Sequence, residues 1–206
     1  MIWAVVLAAG KSERMGSAKL LLPLDGRTLI ETVLQGVLRS RPDGVLVVVG
    51  ADRARLEPVV ERFPVRIVFN PDFERGMLSS VQRGLRAVPP AARAVLVFLA
   101  DQPPPPASVV DRIVAAYRKT GKGIVLPACR GRRGHPVLID LKYRFEIATL
   151  DPRIGLRQLV RGHPDDVYEV PARTPAILKD IDTPRDYRAF LKKGTSRRAR
   201  GRPTSL

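Results

Sequence analysis

The chain has 206 residues, 45% of them hydrophobic and 27% charged, enough to bury one sizeable core in an ordinary globular domain. A single cysteine, Cys129, excludes an intramolecular disulfide framework and a cysteine-based metal cluster, and no apolar run reaches membrane-spanning length. The first apolar run is too short and wrongly flanked for a signal peptide, so a reducing cytoplasm is the expected setting, with no membrane partner.

The formal charge is +16. Part of it lies in residues 192–206, KKGTSRRARGRPTSL, a polar, acid-free and aromatic-free stretch expected to be a disordered basic tail behind a single domain of residues 1–191. A basic surface suits polyanions, nucleotides as well as nucleic acids. No aromatic residues alternate with the cations as a base-stacking platform requires, so nucleic acid is not the expected partner.

The chain opens with an apolar run, Ala4 to Ala9, that reads as one buried strand. A glycine-rich cationic turn follows, with Gly10, Lys11, Ser12, Arg14, Gly16 and Lys19. Glycines let backbone N–H groups approach oxygens and the cations neutralise charge, so this suits a phosphate, although a plain strand-to-helix turn would also carry such residues. The spacing matches neither G-x-x-x-x-G-K-[ST] nor G-x-G-x-x-G, which disfavours a Walker-type ATPase and an ordinary dinucleotide-binding oxidoreductase.

Thr28 and Glu31 form a capping box for a helix with an apolar stripe at Leu29, Val33 and Val37. Val45 to Val49 reads as a second strand, Leu56 to Phe63 as a short helix interrupted by Pro58, and Val65 to Phe69 as a third strand ending at Asn70. Gly76 precedes a helix whose first turn holds Ser79 and Ser80, placed either to cap it or to meet a polar ligand. Ala94 to Ala100 is the fourth strand and runs into Asp101, at the sheet edge where open α/β folds place ligands. A lone acid there could also cap a turn.

Further on come a helix from Ser108 to Tyr117, a strand from Gly123 to Pro127, a cationic loop from Ala128 to Gly134 and a strand from His135 to Ile139. A helix from Tyr143 to Leu150, a Gly155–Arg157 turn, a strand from Asp166 to Val170 and a helix from Arg185 to Leu191 complete the domain. Strands apolar throughout and alternating with helices predict a parallel sheet covered on both faces.

Six stretches together resemble the MobA-like NTP transferases, in their cytidylyltransferase branch, collinearly from Val5 to about Leu191. LAAG-x-S-x-R-M-G-x-x-K is filled by Leu7, Ala8, Ala9, Gly10, Ser12, Arg14, Met15, Gly16 and Lys19. N-x-x-x-x-x-G-M-x-x-S spans Asn70 to Ser80, LADQP contains Asp101, RRGHPVLI contains Gly134 and His135, GLR contains Arg157, and DIDTPRDY contains Asp182. The resemblance implies a three-layer α/β/α nucleotide-diphospho-sugar transferase-like (Rossmann-like) fold, its sheet of about seven strands mostly parallel with one antiparallel.

It also implies a reaction. A phosphate on an acceptor attacks the α-phosphorus of a nucleoside triphosphate and pyrophosphate leaves, so no side-chain nucleophile is needed. Arg14 and Lys19 would hold the leaving phosphates. Leu7 to Gly10, Ser12, Gly16, Asn70, Gly76, Ser79 and Ser80 would line the nucleotide, and Asp101 with Asp182 would hold Mg²⁺. Asp180 competes with Asp182 for that role, and the alignment favours Asp182.

Gly134, His135 and Arg157 fall on the acceptor side, where His135 is read as a hydrogen-bonding residue ahead of a general base. Ala9 in LAAG, where guanylyltransferases read LAGG, points to CTP, and the RGHPV loop to a molybdopterin-type acceptor. A molybdoenzyme or its maturation chaperone would be the further partner. Transfer to a sugar phosphate, or from GTP, is the alternative.

Overall fold

The computed structural model describes residues 1–11, 18–24 and 26–199, the last eight of these as backbone only. Ten strands and seven helices alternate along it. The first half runs β1 (Ile2–Ala8), β2 (Pro23–Leu24), β3 (Arg27–Thr28), α1 (Leu29–Arg39), β4 (Gly44–Val49), α2 (Arg53–Val60), β5 (Arg66–Phe69) and α3 (Met77–Ala87). The second runs β6 (Ala94–Leu99), α4 (Ala107–Thr120), β7 (Ile124–Cys129), β8 (Arg132–Arg133), β9 (Val137–Asp140), α5 (Arg144–Thr149), α6 (Leu156–Gly162), β10 (Val167–Pro171) and α7 (Pro184–Ala199).

The main sheet has the order β10-β7-β9-β6-β1-β4-β5, with β8 added against β7. This is the mostly parallel sheet expected, and β9, the His135-to-Ile139 strand of the sequence reading, runs antiparallel between β6 and β7. Three two-residue strands, β2, β3 and β8, were not foreseen. The cationic loop after β7 is a two-residue hairpin whose turn residues, Arg130 and Gly131, both have positive φ, and Arg132–Arg133 return as β8. Such a turn matches the natural twist of paired strands. A separate ribbon pairs β2 with β3.

The central strands are buried on both faces, which explains their unbroken apolar sequences. In β1 the side chains alternate. Ala4, Val6 and Ala8 pack with Leu29, Ile30, Leu56, Val109 and Ile113 of α1, α2 and α4. Trp3, Val5 and Leu7 pack with Leu78, Val81, Ile147 and Leu159 of α3, α5 and α6 on the other face. Tyr187, Phe190 and Leu191 lay α7 on the first face. The backbone of α7 continues to Ala199, into the stretch assigned from sequence to a tail, while residues 200–206 lie outside those described. Among the described residues no helix is long and apolar enough to cross a membrane.

The strand order positions the site. From β1 the chain moves outward through β4 to β5, then crosses back over the opposite face through α3 to place β6 on the other side of β1. The sheet therefore changes direction between β1 and β6, and the crevice beyond the carboxyl ends of such a strand pair is where open α/β sheets bind ligands.

Candidate active site

Three chain segments meet in that crevice. After β1 the chain returns at a single 3₁₀ turn, Lys19–Leu21, anchored by Leu20 in the core and by the β2–β3 ribbon behind it. After β6 it turns through Asp101 and Gln102. From the far end of the chain, residues 180–182 lie against that turn, because the Ile181 N–H donates to the Asp101 carbonyl at 3.0 Å.

The result is a close cluster. Lys19 Nζ donates to Asp101 Oδ2 at 3.0 Å and to Asp182 Oδ1 at 3.0 Å, joining residues that are 82 and 163 positions apart. The Lys19 side chain is 9% exposed, against 32% and 37% for the two acids, so the ammonium is enclosed while the carboxylates still face the crevice. Ala8, Gly10, Leu20 and Ala100 line the cleft beside them.

Asp180, the rival of Asp182, is engaged elsewhere. Gln102 Nε2 donates to its Oδ1, so this acid registers the 180–182 segment against the β6 turn. Asp182 is fixed from the other side, where Thr183 and Asp186 form a reciprocal capping box at the start of α7. Gln102 and the Asp180 pairing were missed by sequence reasoning. The only signal was adjacency: each residue lies within two positions of a predicted metal ligand.

The donor-side segment is held together by its own side chains. Asn70 is 1% exposed, and its side-chain amide donates to Ser79 Oγ at 2.9 Å and Ser80 Oγ at 3.0 Å, while its carbonyl accepts the Asp72 N–H at 3.1 Å. Asn70 and the buried Ser80 thus tie the end of β5 to the first turn of α3, and Ser79 is only half-buried. Gly76 caps α3 with φ +94°, a conformation that favours glycine, and is exposed there. Lys11 bridges to Glu74 at 2.6 Å, which draws the turn after β1 toward the same segment and holds the Glu74 carboxyl below its ordinary value.

Leu7 is the penultimate residue of β1, between β4 and β6. Ala8 and Ala9 are buried, at 3% and 5% exposure, and the Ala9 carbonyl accepts the Ala51 N–H at 3.3 Å. Ser12, Arg14 and Gly16, with Met15, lie outside the described residues.

On the acceptor side, Gly134 and His135 are set against the 175–178 turn. The His135 N–H donates to the Ile177 carbonyl at 3.0 Å, and a Cβ on residue 134 would stand 2.2 Å from that same carbonyl oxygen, which accounts for the glycine. The His135–Pro136 peptide is cis. Burial holds the His135 imidazole below its ordinary value against the opposing pull of Asp180 and Asp101, so it is neutral at physiological pH and lies within the field of the acid cluster. Arg157 is exposed in the first turn of α6 and is not among the groups that meet at Lys19.

The two carboxylates facing one cation position are hard oxygen donors of the kind that hold Mg²⁺ or Mn²⁺ together with phosphate oxygens. Among the described residues no set of three or more His, Cys, Asp or Glu side chains gathers as a metal site, so such an ion would need its remaining ligands from a triphosphate or water.

A switch-point crevice with an enclosed lysine between two acids suits the phosphate and cation handling of a nucleotidyltransferase. The chain belongs to the MobA-like NTP transferase family, whose domain matches residues 4–167. It is 29% identical to the molybdenum cofactor cytidylyltransferase of Escherichia coli across 89% of this chain and 92% of that one. It is 32% identical to the nicotine blue oxidoreductase of Paenarthrobacter nicotinovorans across 88% and 92%. A manganese complex of a Mycobacterium tuberculosis protein superposes with a TM-score of 0.79 at 26% identity, covering 93% of this chain and 98% of that chain.

Proposed function

We propose that this nucleotidyltransferase transfers CMP from CTP to the phosphate of a molybdopterin-type acceptor, releasing pyrophosphate, with Mg²⁺ as its divalent cation. The observation that carries the reading is the convergence of Lys19, Asp101 and Asp182 at the β1/β6 switch point. Ala9 in the LAAG run and the likeness to the Escherichia coli cytidylyltransferase support CTP and the acceptor.

An acceptor phosphate oxygen forms the new bond to the α-phosphorus, and the bond from that phosphorus to the β-phosphate oxygen breaks. The bonding pair leaves on pyrophosphate, so no side chain is consumed. Lys19, buried in the 3₁₀ turn after β1, would neutralise charge as it develops on the leaving group, and preorganised stabilisation of this kind is the main source of rate in such sites. Asp101 and Asp182 would hold the metal, which when bound adds charge neutralisation on the triphosphate. Gly134 and neutral His135 would meet the acceptor beside the acids.

The reading is tested by measuring pyrophosphate release with CTP, GTP, ATP and UTP, each against molybdopterin and sugar-phosphate acceptors, with and without Mg²⁺. CTP with molybdopterin is expected to turn over fastest. A requirement for GTP, turnover only with a sugar phosphate, or reduction of a dye without any triphosphate would each replace it.

A further inference from the structure

Glycine is a poor residue for the middle of a helix, because it loses more backbone freedom on folding than alanine does. Gly36 nevertheless sits in the interior of α1. A Cβ at that position would stand 2.1 Å from Cγ and 2.6 Å from Cβ of Pro104, well inside ordinary contact at 3.4–4 Å. Pro104 belongs to the run Pro103–Pro106, which leads from the Asp101 turn into α4.

We infer that Gly36 is a positioning residue: its bare backbone is the seat on α1 for the Pro104 ring, and that seat sets where the Asp101 turn stands against Lys19. The catalytic meaning of that spacing rests on the nucleotidyltransferase reading; the seating itself does not.

The contact is stiff by construction. A proline ring is closed onto the backbone, so Pro104 cannot swing aside by changing rotamer, and any retreat of the ring moves the chain. Pro103 and Pro105 beside it are buried, and each proline holds the residue before it extended, so the run acts as a strut. One end of the strut is pinned: the Pro106 carbonyl accepts the Val109 N–H at 2.8 Å, and Val109, Val110 and Ile113 of α4 lie in the core. The other end is the turn that carries Asp101 and Gln102, where the Gln102 N–H donates to the Leu99 carbonyl at 3.2 Å.

The same helix takes the chain from the lysine side. The Leu29 N–H donates to the Leu22 carbonyl at 3.0 Å, directly after the Lys19–Leu21 turn, and Leu20 and Leu29 share one core cluster. Thus α1 carries both halves of the 3.0 Å Lys19–Asp101 contact, the lysine through its first turn and the acid through the seat at Gly36.

The test compares Gly36→Ala, Pro104→Gly and the two together. Gly36→Ala puts a methyl in the seat, Pro104→Gly removes the ring, and the pair gives the methyl room. In crystals of nucleotide-free Gly36→Ala the Asp101 turn should shift by about 1 Å and open the Lys19–Asp101 contact, and pyrophosphate release should fall by up to about a hundredfold. In the Pro104→Gly background the same methyl should cost no activity and raise the melting temperature, as alanine does in a helix interior. Gly162→Ala in α6, where a Cβ meets nothing within 4 Å, is the control and should leave turnover unchanged.

A Gly36→Ala protein that melts above wild type and keeps the Lys19–Asp101 contact overturns the seat, as does an equal loss of activity from Gly36→Ala in both backgrounds. If Gly36→Ala alone does not fold, its rescue by Pro104→Gly reads the seat, and a displaced Asp101 turn in crystals of Pro104→Gly reads the positioning. The transferase reading fails separately. A wild type that releases no pyrophosphate from any triphosphate, while Gly36→Ala still displaces Asp101, loses that reading and keeps the seat. An active wild type whose Gly36→Ala variant leaves Asp101 in place loses only the seat.

Discussion

Two lysine–aspartate clusters sit at opposite edges of this sheet, and they are made from the same residue types. At the carboxyl edge one lysine serves two acids: Lys19 with Asp101 and Asp182. At the amino edge, beside the starts of β7 and β10, one acid serves several donors. Asp166 Oδ2 accepts from Lys142 Nζ at 2.7 Å and from the Tyr143 hydroxyl at 2.5 Å, with a further bond from the Gly123 backbone. The second cluster is donor-rich, and its lysine is exposed. The first encloses its lysine, 9% exposed against 51% for Lys142, and turns its two acids toward the crevice between β1 and β6. Enclosure of the lysine at the switch point, rather than the presence of a lysine–aspartate pair, separates the two clusters.

The sharpest way to break this contrast is to remove the charges at the carboxyl edge. Asp101→Asn and Lys19→Ala should each lower Mg²⁺-dependent pyrophosphate release by about a thousandfold, the scale seen when one preorganised charge-stabilising group is lost. Full activity in either would dismantle the site. Next in size is the choice between the two neighbouring acids. Asp182→Asn should cost about a hundredfold or more, whereas Asp180→Asn, which loosens the Gln102 contact but leaves both crevice carboxylates in place, should cost about tenfold. Gln102→Ala should match Asp180→Asn, and the double variant should be no worse than either single one if the two act as one clamp. Steady-state rates across these four proteins decide it; an Asp180→Asn loss larger than that of Asp182→Asn would reverse the assignment.

Much of this arrangement could be read in the sequence, for a physical reason. Val45 to Val49 and Ala94 to Ala100 are buried on both faces, so their apolar runs mark strands without help from periodicity, and Thr28 with Glu31 announces α1 through a local capping box that the structure contains. Elements held by pairing rather than burial left no such trace. The β8 residues Arg132 and Arg133 are exposed arginines that become a strand only because the turn at Arg130–Gly131 folds them back on β7. The β2–β3 ribbon is similarly short and is tied to α7 by the Tyr187 hydroxyl on the Pro23 carbonyl.

The site shows the same division. Lys19, Asp101 and Asp182 were legible through a family resemblance, but their meeting depends on contacts spanning 82 and 163 positions that no local pattern encodes. Asn70 and Ser80 were read as nucleotide contacts because they sit in the right motif. Their mutual hydrogen bond and near-complete burial show that the motif residues also hold the segment in shape.

The smallest effect is expected at the amino edge, where the contrast predicts stability without catalysis. Burial pushes the Asp166 carboxyl up, but hydrogen bonds from Lys142 and Tyr143 and the Gly123 N–H outweigh it and hold the group at about 2, below its ordinary 3.8. A carboxyl depressed in the folded state stabilises the fold above its unfolded value and loses that contribution as pH falls through its folded value. The contribution should therefore be complete above about pH 4 and fade toward pH 2. With the side chain about one-quarter exposed, it is worth about 1–2 kcal/mol at neutral pH after allowance for solvent screening. Asp166→Asn should lower unfolding free energy by that amount at pH 7, shrink the difference from wild type as the pH approaches 2, and leave pyrophosphate release unchanged. Denaturant unfolding at pH 7, 4 and 2, with an activity assay at pH 7, measures all three. If Asp166→Asn reduced turnover as severely as Asp101→Asn, place in the sheet and enclosure of the lysine would not distinguish the two clusters, and the amino edge would have to be counted as part of the working site.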